Sequence, residues 1–297
     1  MPSTEHIERR LHSLEELGAI VRTMKALSAA SIRQYEKAVI ALEEYERTVE
    51  LGLMAVLHEA PMTPRPHRQR GMLGAIVFGS DHGLCGRFND EIALHTRDYL
   101  SPLRSGEAPR LIAIGARVAA RLEQHGLTPE HVLHLPGSAE GISDTVQRVL
   151  LLLDSWLREQ EDMEVHLLYN HHLRGARYRP GGAPFLPVHP ERFHSLATAI
   201  WPGPSLPYHS LPREQLIPAL LRQYLFVGLH RACAESMASE HDTRLRAMQA
   251  AEKSIADRLE EGMTEFRRAR QDAITEELLD VVSGFEVAAE GAQPLPP

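Results

Sequence analysis

Aromatic residues and concentrated basic charge are both scarce in this sequence. Aromatics make up 5% of the 297 residues, which favours long helices with aliphatic seams over a large all-β core. The net charge is −8 at pH 7 and no block of basic residues stands out. Because phosphate contacts need a concentrated basic surface, nucleic-acid binding is disfavoured.

Cysteine is nearly absent, and the histidines lack the spacing of metal ligands. Cys85 and Cys233 lie far apart without a CxxC motif, so we expect two small buried residues in a reduced compartment. The His171–His172 pair stands without an HExxH or HxH arrangement. The sequence therefore predicts no metal site and no cofactor.

Long apolar runs are missing as well. The longest, residues 149–153, is far too short to cross a bilayer. The first residues show neither the apolar segment of a signal peptide nor an Arg-rich transit peptide. We expect a soluble chain that reaches a membrane only through partners.

Proline is also absent from residues 3–57, and small or apolar residues recur there in alternating steps of four and three. This spacing, sustained so long, predicts one N-terminal shaft helix over 1–58 with a coiled-coil seam. It would be about 80 Å long, and the prolines that follow would end it. The seam consists of Ile7, Leu11, Leu14, Gly18, Val21, Met24, Ser28, Ser31, Tyr35, Ala38, Leu42, Tyr45, Val49 and Leu53.

A second helical pattern covers residues 213–288. Pro218 leaves its start open between Arg213 and Ala219, since proline suits only the first turn. Its seam includes Glu252 and Gly262, which weakens a zipper but lets two helices approach closely. Because neither terminal helix buries its apolar face alone, we expect them to pair antiparallel. Residues 289–297 are expected to form a disordered tail.

The middle of the chain, residues 71–212, alternates strand-like and helical segments. The predicted strands are 73–78, 110–115, 131–135 and 164–169, and the predicted helices are 90–103, 116–125 and 141–160. This alternation predicts a Rossmann-like βαβ parallel sheet whose strand order stays open. The proline-rich stretch 180–218 predicts an extended connection or an edge hairpin. The predicted fold is an α/β domain inserted between two long antiparallel coiled-coil helices.

A glycine-rich turn follows the first predicted strand, where α/β folds often bind phosphate. The turn matches neither GxGxxG nor GxxxxGK[ST], and Asp81 would repel a phosphate. A tight structural turn is therefore favoured. Cys85 has no identifiable partner that would make it a nucleophile. We find no triad or acid–base pair elsewhere and predict no catalytic residue.

Four segments, in order, resemble the gamma subunit of F-type ATP synthases. They are RTMKALSAAS (22–31), SDHGLCGRFN (80–89), ESMASEHDTRLRAM (235–248) and ARQDAITEELLDVVSG (269–284). The likeness spans nearly the whole chain, with departures at Ile32 and Phe285, where the family usually has Lys and Ala. The stretches TMKALSAASIRQYE and RQYLFVGLHRACAESMASE resemble the alternate, N-type bacterial branch, and leave H⁺ or Na⁺ open as the coupling ion.

The resemblance implies a non-catalytic rotor subunit. Its terminal helices would form a shaft inside a ring of three alpha and three beta subunits. Its central domain would form a foot that meets the epsilon subunit and the ring of c subunits. The chain would be peripheral to the cytoplasmic face of the bacterial inner membrane, with no cofactor, nucleic acid or small-molecule substrate.

The resemblance also assigns roles to individual residues. The expected contacts with the beta subunits are Met24, Lys25, Arg270, Gln271 and Thr275. A hydrophobic bearing is expected at Val281, Val282 and Phe285. The structural turn of the foot is assigned to Asp81, Gly83, Gly86 and Asn89.

Two other classes of function stay open on the sequence alone. One is a nucleic-acid-binding module with a coiled-coil arm, which a basic arm with exposed aromatics would favour. The other is a free-standing α/β enzyme that binds a nucleotide, which ATP binding by the isolated chain would favour.

Overall fold

Two long helices enclose an α/β region in sequence. The computed structural model describes residues 4–59, 71–103, 106–173, 177–188, 190–205 and 209–290. In chain order the elements are α1 (Thr4–Glu59), β1 (Leu73–Phe78), α2 (Phe88–Leu100), β2 (Arg110–Ile114), α3 (Ala116–Gln124), β3 (His131–Leu133), α4 (Ile142–Glu159), β4 (Glu164–Leu173), β5 (Arg177–Leu186), α5 (Pro190–Thr198) and α6 (Arg213–Glu290).

The chain divides into two compact units. The first combines Met1–Ala26 with Met248–Pro297, and the second is Leu27–Ala247. The division passes through α1 and α6, whereas the predicted boundaries at 58, 71 and 212 separated whole helices from the middle. The difference arises because inner segments of both long helices belong to the hydrophobic core of the second unit.

The predicted N-terminal seam is the buried face of α1. Every member of the series from Ile7 to Leu53 is buried or half-buried except Tyr45. Tyr45 is 41% exposed, and its hydroxyl donates to Gln223 Oε1 at 2.8 Å. Residues spaced by three and four lie on one face of a helix, so the periodicity was sufficient to predict the buried face of α1.

In the first unit, the segments of α1 and α6 run antiparallel. Leu11 lies against Gly262, and further along α1 Lys25 Nζ lies 2.6 Å from Glu252 Oε2. Residue numbers therefore rise along one helix as they fall along the other. The antiparallel pairing predicted from the two seams is confirmed.

The second unit is built on a five-stranded sheet of order β3-β2-β1-β4-β5. Strands β1 to β4 are parallel, and β5 pairs antiparallel with β4. Helices α2 and α3 pack on one face, and α4 with inner segments of α1 and α6 packs on the other. A parallel strand covered on both faces is apolar throughout, as in β1, which is buried at all six positions.

The proline-rich stretch predicted as a connection or edge hairpin contains a strand and a helix. Strand β5 forms the hairpin with β4, and Pro180 and Pro184 are tolerated because β5 lies at the edge of the sheet. Helix α5 is a correction, since the density of prolines argued against any helix here. Pro190 begins it, at a position where the missing N–H has no helical partner to lose.

Helix α6 begins at Arg213 and holds Pro218 inside its second turn. Proline lacks an N–H, so the carbonyl of Glu214 loses its helical partner, a local defect that the rest of a 78-residue helix outweighs. The helix continues to Glu290, past the predicted end at 288. Residues 291–297 of the predicted tail lie outside the described residues.

Candidate functional site

The turn between β1 and α2, residues 79–87, is held by buried polar contacts at its base. Asn89 Oδ1 accepts a hydrogen bond from the Ser80 N–H at 2.9 Å, and Asn89 Nδ2 donates to Ser80 Oγ at 2.7 Å. Gly86 has a φ of 57°, in the left-handed region that favours glycine. Leu84 shares that region with a φ of 64° although it has a side chain. The turn is therefore tightly constrained.

Asp81 joins this turn to the ends of the two neighbouring strands. Its carboxylate accepts from the backbone N–H of Ala116, which follows β2, and of Leu135, which follows β3, each at 2.8 Å. His134 Nδ1 lies 3.1 Å from the same carboxylate. The position where an α/β enzyme would bind phosphate thus holds a fixed carboxylate with three internal contacts.

A buried ion pair on α6 contacts the same turn. Arg244 Nη2 lies 2.5 Å from Glu240 Oε1, and the two side chains are 7% and 5% exposed. Arg244 also donates to the carbonyl of Gly83 at 3.4 Å and to that of His82 at 3.5 Å. Burial raises the pKa of Glu240 to about 7, although Arg244 favours the ionised form.

Sequence reasoning missed this pair. Glu240 and Arg244 lie within a segment that carried the family resemblance, but their spacing of four residues is typical of a solvated helix face. The only local signal was the run of small residues on the same turns of the helix, such as Ala238 and Ser239, which indicates close packing. Burial by the sheet domain is a tertiary property that helical spacing does not encode.

Helix α6 occupies the crevice where an open α/β sheet usually binds its ligand. That crevice lies at the carboxyl ends of the strands where the strand order reverses, here between β1 and β4. Ser239 Oγ of α6 donates to the carbonyl of Asn170 in β4 at 3.1 Å, and Arg244 contacts the turn after β1. Protein side chains therefore fill the place of a bound nucleotide.

A stacked pair of rings joins α1 and α6 in the second unit. The rings of Tyr35 and His241 have centroids 5.5 Å apart and an interplanar angle of 13°. Tyr35 is 2% exposed, and burial lowers the pKa of His241 to about 4. The imidazole is therefore neutral at physiological pH and packs as an aromatic ring.

The predicted contacts with the beta subunits differ in their surroundings. Lys25 is paired with Glu252, both side chains being about one-third exposed, at 35% and 33%. Met24 is half-buried beside it. Three predicted contacts on α6 are exposed, namely Arg270, Gln271 and Thr275. The structure thus leaves the α6 residues accessible to a partner and gives Lys25 an internal one.

The predicted bearing lies on an apolar stretch near the end of α6. Val281 and Val282 are 53% and 52% exposed. Phe285 lies within the helix, and its side chain is outside the described part of the chain. Three further apolar side chains of this stretch are at least half exposed, namely Ile274, Leu278 and Leu279. This end of α6 therefore exposes five aliphatic side chains, interspersed with the exposed acidic residues Glu276, Glu277 and Asp280.

The described ranges contain neither a metal-ligand cluster nor a membrane-spanning helix. No three or more His, Cys, Asp and Glu side chains within them are arranged to hold a metal ion. No helix within them has an apolar stretch long enough to cross a membrane. Cys85 and Cys233 are buried free thiols, and burial raises the pKa of both. The prediction of two small buried residues is confirmed.

Comparison with known sequences identifies one family over nearly the whole chain. A family model described as ATP synthase matches residues 3–287. The ATP synthase gamma chain of Geotalea uraniireducens is 28% identical over 96% of this chain and 99% of its own length. That of an Anaeromyxobacter species is 29% identical with the same coverage, and that of Salinibacter ruber is 27% identical over 98% and 99%.

Solved structures share the fold. A chain of the Euglena gracilis mitochondrial ATP synthase, in a structure of the OSCP, F1 and c-ring, matches with a TM-score of 0.63 and 16% identity over 98% of this chain and 97% of its own. A chain of the Tetrahymena thermophila mitochondrial ATP synthase central stalk and c-ring matches with a TM-score of 0.56 and 18% identity over 78% and 99%. The predicted fold, an α/β domain inserted between long terminal helices, is thereby confirmed.

Proposed function

The chain belongs to the ATP synthase gamma family, and from that premise we propose that it is the central rotor shaft of a rotary F-type ATP synthase. It couples ion flow through a membrane sector to ATP synthesis or hydrolysis on partner subunits. The observation that carries this proposal is the antiparallel pairing of the chain's two ends, shown by the contacts Leu11–Gly262 and Lys25–Glu252. A long two-stranded helical shaft is what a rotor needs.

In this proposal the chain supplies no catalytic group. The turn after β1 holds Asp81 in contact with two backbone N–H donors and the His134 ring, and α6 fills the neighbouring crevice. Both features leave the α/β domain without the phosphate-binding geometry of a nucleotide enzyme. ATP chemistry then takes place between alpha and beta subunits, as the family resemblance implies.

The proposed partners are three alpha and three beta subunits around the shaft, and the epsilon subunit and c-ring at the central domain. The solved relatives come from assemblies described as central stalk with c-ring and as OSCP, F1 and c-ring, which supports these partners. We place the chain at the cytoplasmic face of the bacterial plasma membrane, held there by the c-ring. The stretches at 23–36 and 222–240 favour the N-type branch.

The exposed residues near the end of α6 are the proposed contacts with the catalytic subunits. Arg270 and Gln271 offer hydrogen-bond donors to acidic loops of the beta subunits. Lys25 contributes a third donor when it exchanges its bond to Glu252 for a bond to a beta subunit. The aliphatic side chains of Val281 and Val282 are proposed to turn in an apolar bearing. Only contacts that differ between the conformations of beta shift their equilibrium, so these contacts must change as the shaft turns.

Co-purification tests this proposal. The tagged chain, expressed in its native host, is isolated under mild conditions and its associated subunits are quantified by mass spectrometry. We expect alpha, beta and epsilon subunits, with one copy of this chain for each three alpha–beta pairs. A chain that is recovered alone, and that binds ATP in equilibrium dialysis, would instead support the nucleotide-enzyme alternative.

A further inference from the structure

We propose that the buried Glu240–Arg244 pair fixes the rotational position of α6 on the sheet domain, so that torque passes between the two without slip. This inference rests on the proposed rotor function and adds two positioning residues to it. A shaft that turns its partners must not roll within its own base. The structure shows how rolling is opposed.

Over residues 232–239, α6 packs on the sheet domain mostly with small side chains, whereas the larger Leu225, Phe226 and Leu229 pack earlier along the helix. Small side chains make shallow ridges on a helix surface, and shallow ridges interlock weakly with a neighbour. Such packing holds the helix close but opposes rotation about its own axis only slightly. The buried residues of this segment are Ala232, Cys233, Ala234, Ser236, Met237, Ala238 and Ser239.

Arg244 supplies the directional contacts that apolar packing lacks. Its guanidinium is a rigid planar fork, and here it contacts Glu240 at 2.5 Å and the carbonyls of Gly83 and His82 at 3.4–3.5 Å. Rolling α6 in either direction would lengthen the bonds to the two carbonyls, while Glu240, on the same helix, keeps the guanidinium oriented towards them. Both side chains are nearly excluded from water, so solvent does not replace a lengthened bond.

The two carbonyls belong to a turn that is itself braced. Asn89 holds the base of the turn through Ser80, and Asp81 joins it to the residues that follow β2 and β3. A force on Arg244 therefore reaches three neighbouring parallel strands through hydrogen bonds. A buried ion pair often adds little net stability but defines one arrangement of the chain, and that is the role assigned here.

Several ionisable groups from the packed elements surround the Glu240 carboxylate. They are Arg244 on α6, Asp81 and Cys85 from the β1–α2 turn, Tyr35 from α1 and Cys233 from α6. Burial, opposed by Arg244, raises the pKa of Glu240 to about 7. Protonation below this pH removes the negative charge that Arg244 contacts. Rolling of α6 on the sheet domain should therefore become easier as the pH falls through 7, and Glu240→Gln should abolish this pH dependence.

The first experiment measures the turn in the full chain. Hydrogen exchange is followed at the backbone amides of residues 80–88 in Arg244→Gln and in the matched control Arg246→Gln. The Arg246 side chain is 48% exposed on the same helix. We expect at least tenfold faster exchange in Arg244→Gln and wild-type rates in the control. Equal rates in the two variants would overturn the proposed bracing of the turn.

The second experiment measures the rotor in the assembled complex. The torsional stiffness between the central domain and immobilised alpha and beta subunits is obtained from the angular fluctuations of an attached bead. We expect at least a twofold loss in Arg244→Gln, an intermediate value in Arg244→Lys, and the wild-type value in Arg246→Gln. If Arg244→Gln does not assemble, Arg244→Lys decides, because wild-type stiffness there would overturn the proposal.

Different results would refute the rotor function and the role of the Glu240–Arg244 pair. A wild-type complex that hydrolyses ATP without rotating would refute the rotor function itself. A wild-type complex that rotates, with Arg244 variants as stiff as wild type, would refute only the role of the Glu240–Arg244 pair.

Discussion

A Cβ atom at Gly262 of α6 would lie 2.8 Å from Cδ2 of Leu11 of α1, so the two helices of the first unit approach closely at this pair. Glycine inside a helix is about 1 kcal/mol less favourable than alanine. The glycine at 262 is explained by the Leu11 side chain, which occupies the space that a side chain at 262 would need. The pair is a point where the antiparallel shaft depends on side-chain size.

Replacing Gly262 by leucine should destabilise the paired helices. The new side chain has to displace Leu11, and overpacking of this kind costs about 1–3 kcal/mol. The measurement is the free energy of unfolding of the full chain from urea denaturation followed by circular dichroism.

Gly18→Ala is the control, because a Cβ there would meet Arg22 Nη1 at 3.4 Å and Ile255 Cγ2 at 3.6 Å, both ordinary contacts. We expect it to stabilise the chain by up to ~1 kcal/mol through helix propensity. Equal losses at both glycines would show that the seam is not packed as described.

Asp81→Ala should loosen the carboxyl edge of the sheet. The substitution leaves the N–H groups of Ala116 and Leu135 without their acceptor, which costs about 1–3 kcal/mol. Thermal denaturation and amide exchange at these two residues report the effect. His134→Ala should cost less than ~1 kcal/mol, since that side chain is 78% exposed. A larger loss at His134 than at Asp81 would contradict the assignment.

His241→Phe should remove an acid-sensitive component of stability. Burial lowers the pKa of His241 to about 4, while the unfolded chain has the ordinary value of 6.5. Between these values unfolding takes up a proton, so the contribution is present above pH 6.5 and is lost as the pH falls towards 4. Phenylalanine keeps a ring against Tyr35 but binds no proton.

The check is the difference in unfolding free energy between wild type and His241→Phe at pH 7 and pH 5. Between pH 7 and pH 5 we expect the wild type to lose about 2 kcal/mol of unfolding free energy relative to the variant. Each pH unit between the two pKa values changes the stability by about 1.36 kcal/mol. A difference that stays constant with pH would mean that the imidazole titrates normally.

The double variant Arg270→Ala with Gln271→Ala should impair coupling in the assembled complex. Both side chains are exposed on α6, so their loss leaves the isolated chain folded while removing donors to the beta subunits. We expect lower ion pumping per ATP hydrolysed and unchanged helicity by circular dichroism. Arg267→Ala, another exposed arginine on the same helix, serves as the control and should behave as wild type. Unaltered pumping in the double variant would remove these residues from the contact surface.

Local periodicity explains what the sequence predicted well. The seam of α1 was defined by three- and four-residue steps, and strand β1 by a continuous apolar run, because both patterns follow directly from backbone geometry. Helix α5 was missed because proline at the first helical position has the opposite meaning from proline inside a helix. The same residue type therefore argued for the wrong structure.

Two side-chain contacts of the long helices were not predictable from spacing. Glu240 and Arg244 have the separation of a surface pair, and only packing against the sheet domain buries them. Lys25 was expected to contact a partner, and its bond to Glu252 depends on the register of two segments more than 200 residues apart in sequence. Register and burial are set by the whole fold and are absent from any local window.

The proposed rotor function is tested most directly by observing rotation. The complex of this chain with its alpha and beta subunits is fixed to a surface through beta, and a gold bead is attached to the central α/β domain through a cysteine introduced at an exposed position. With ATP supplied, we expect stepwise turning in one direction with three equal dwells per revolution, stopped by removal of ATP. A complex that hydrolyses ATP while the bead shows only Brownian motion would contradict it.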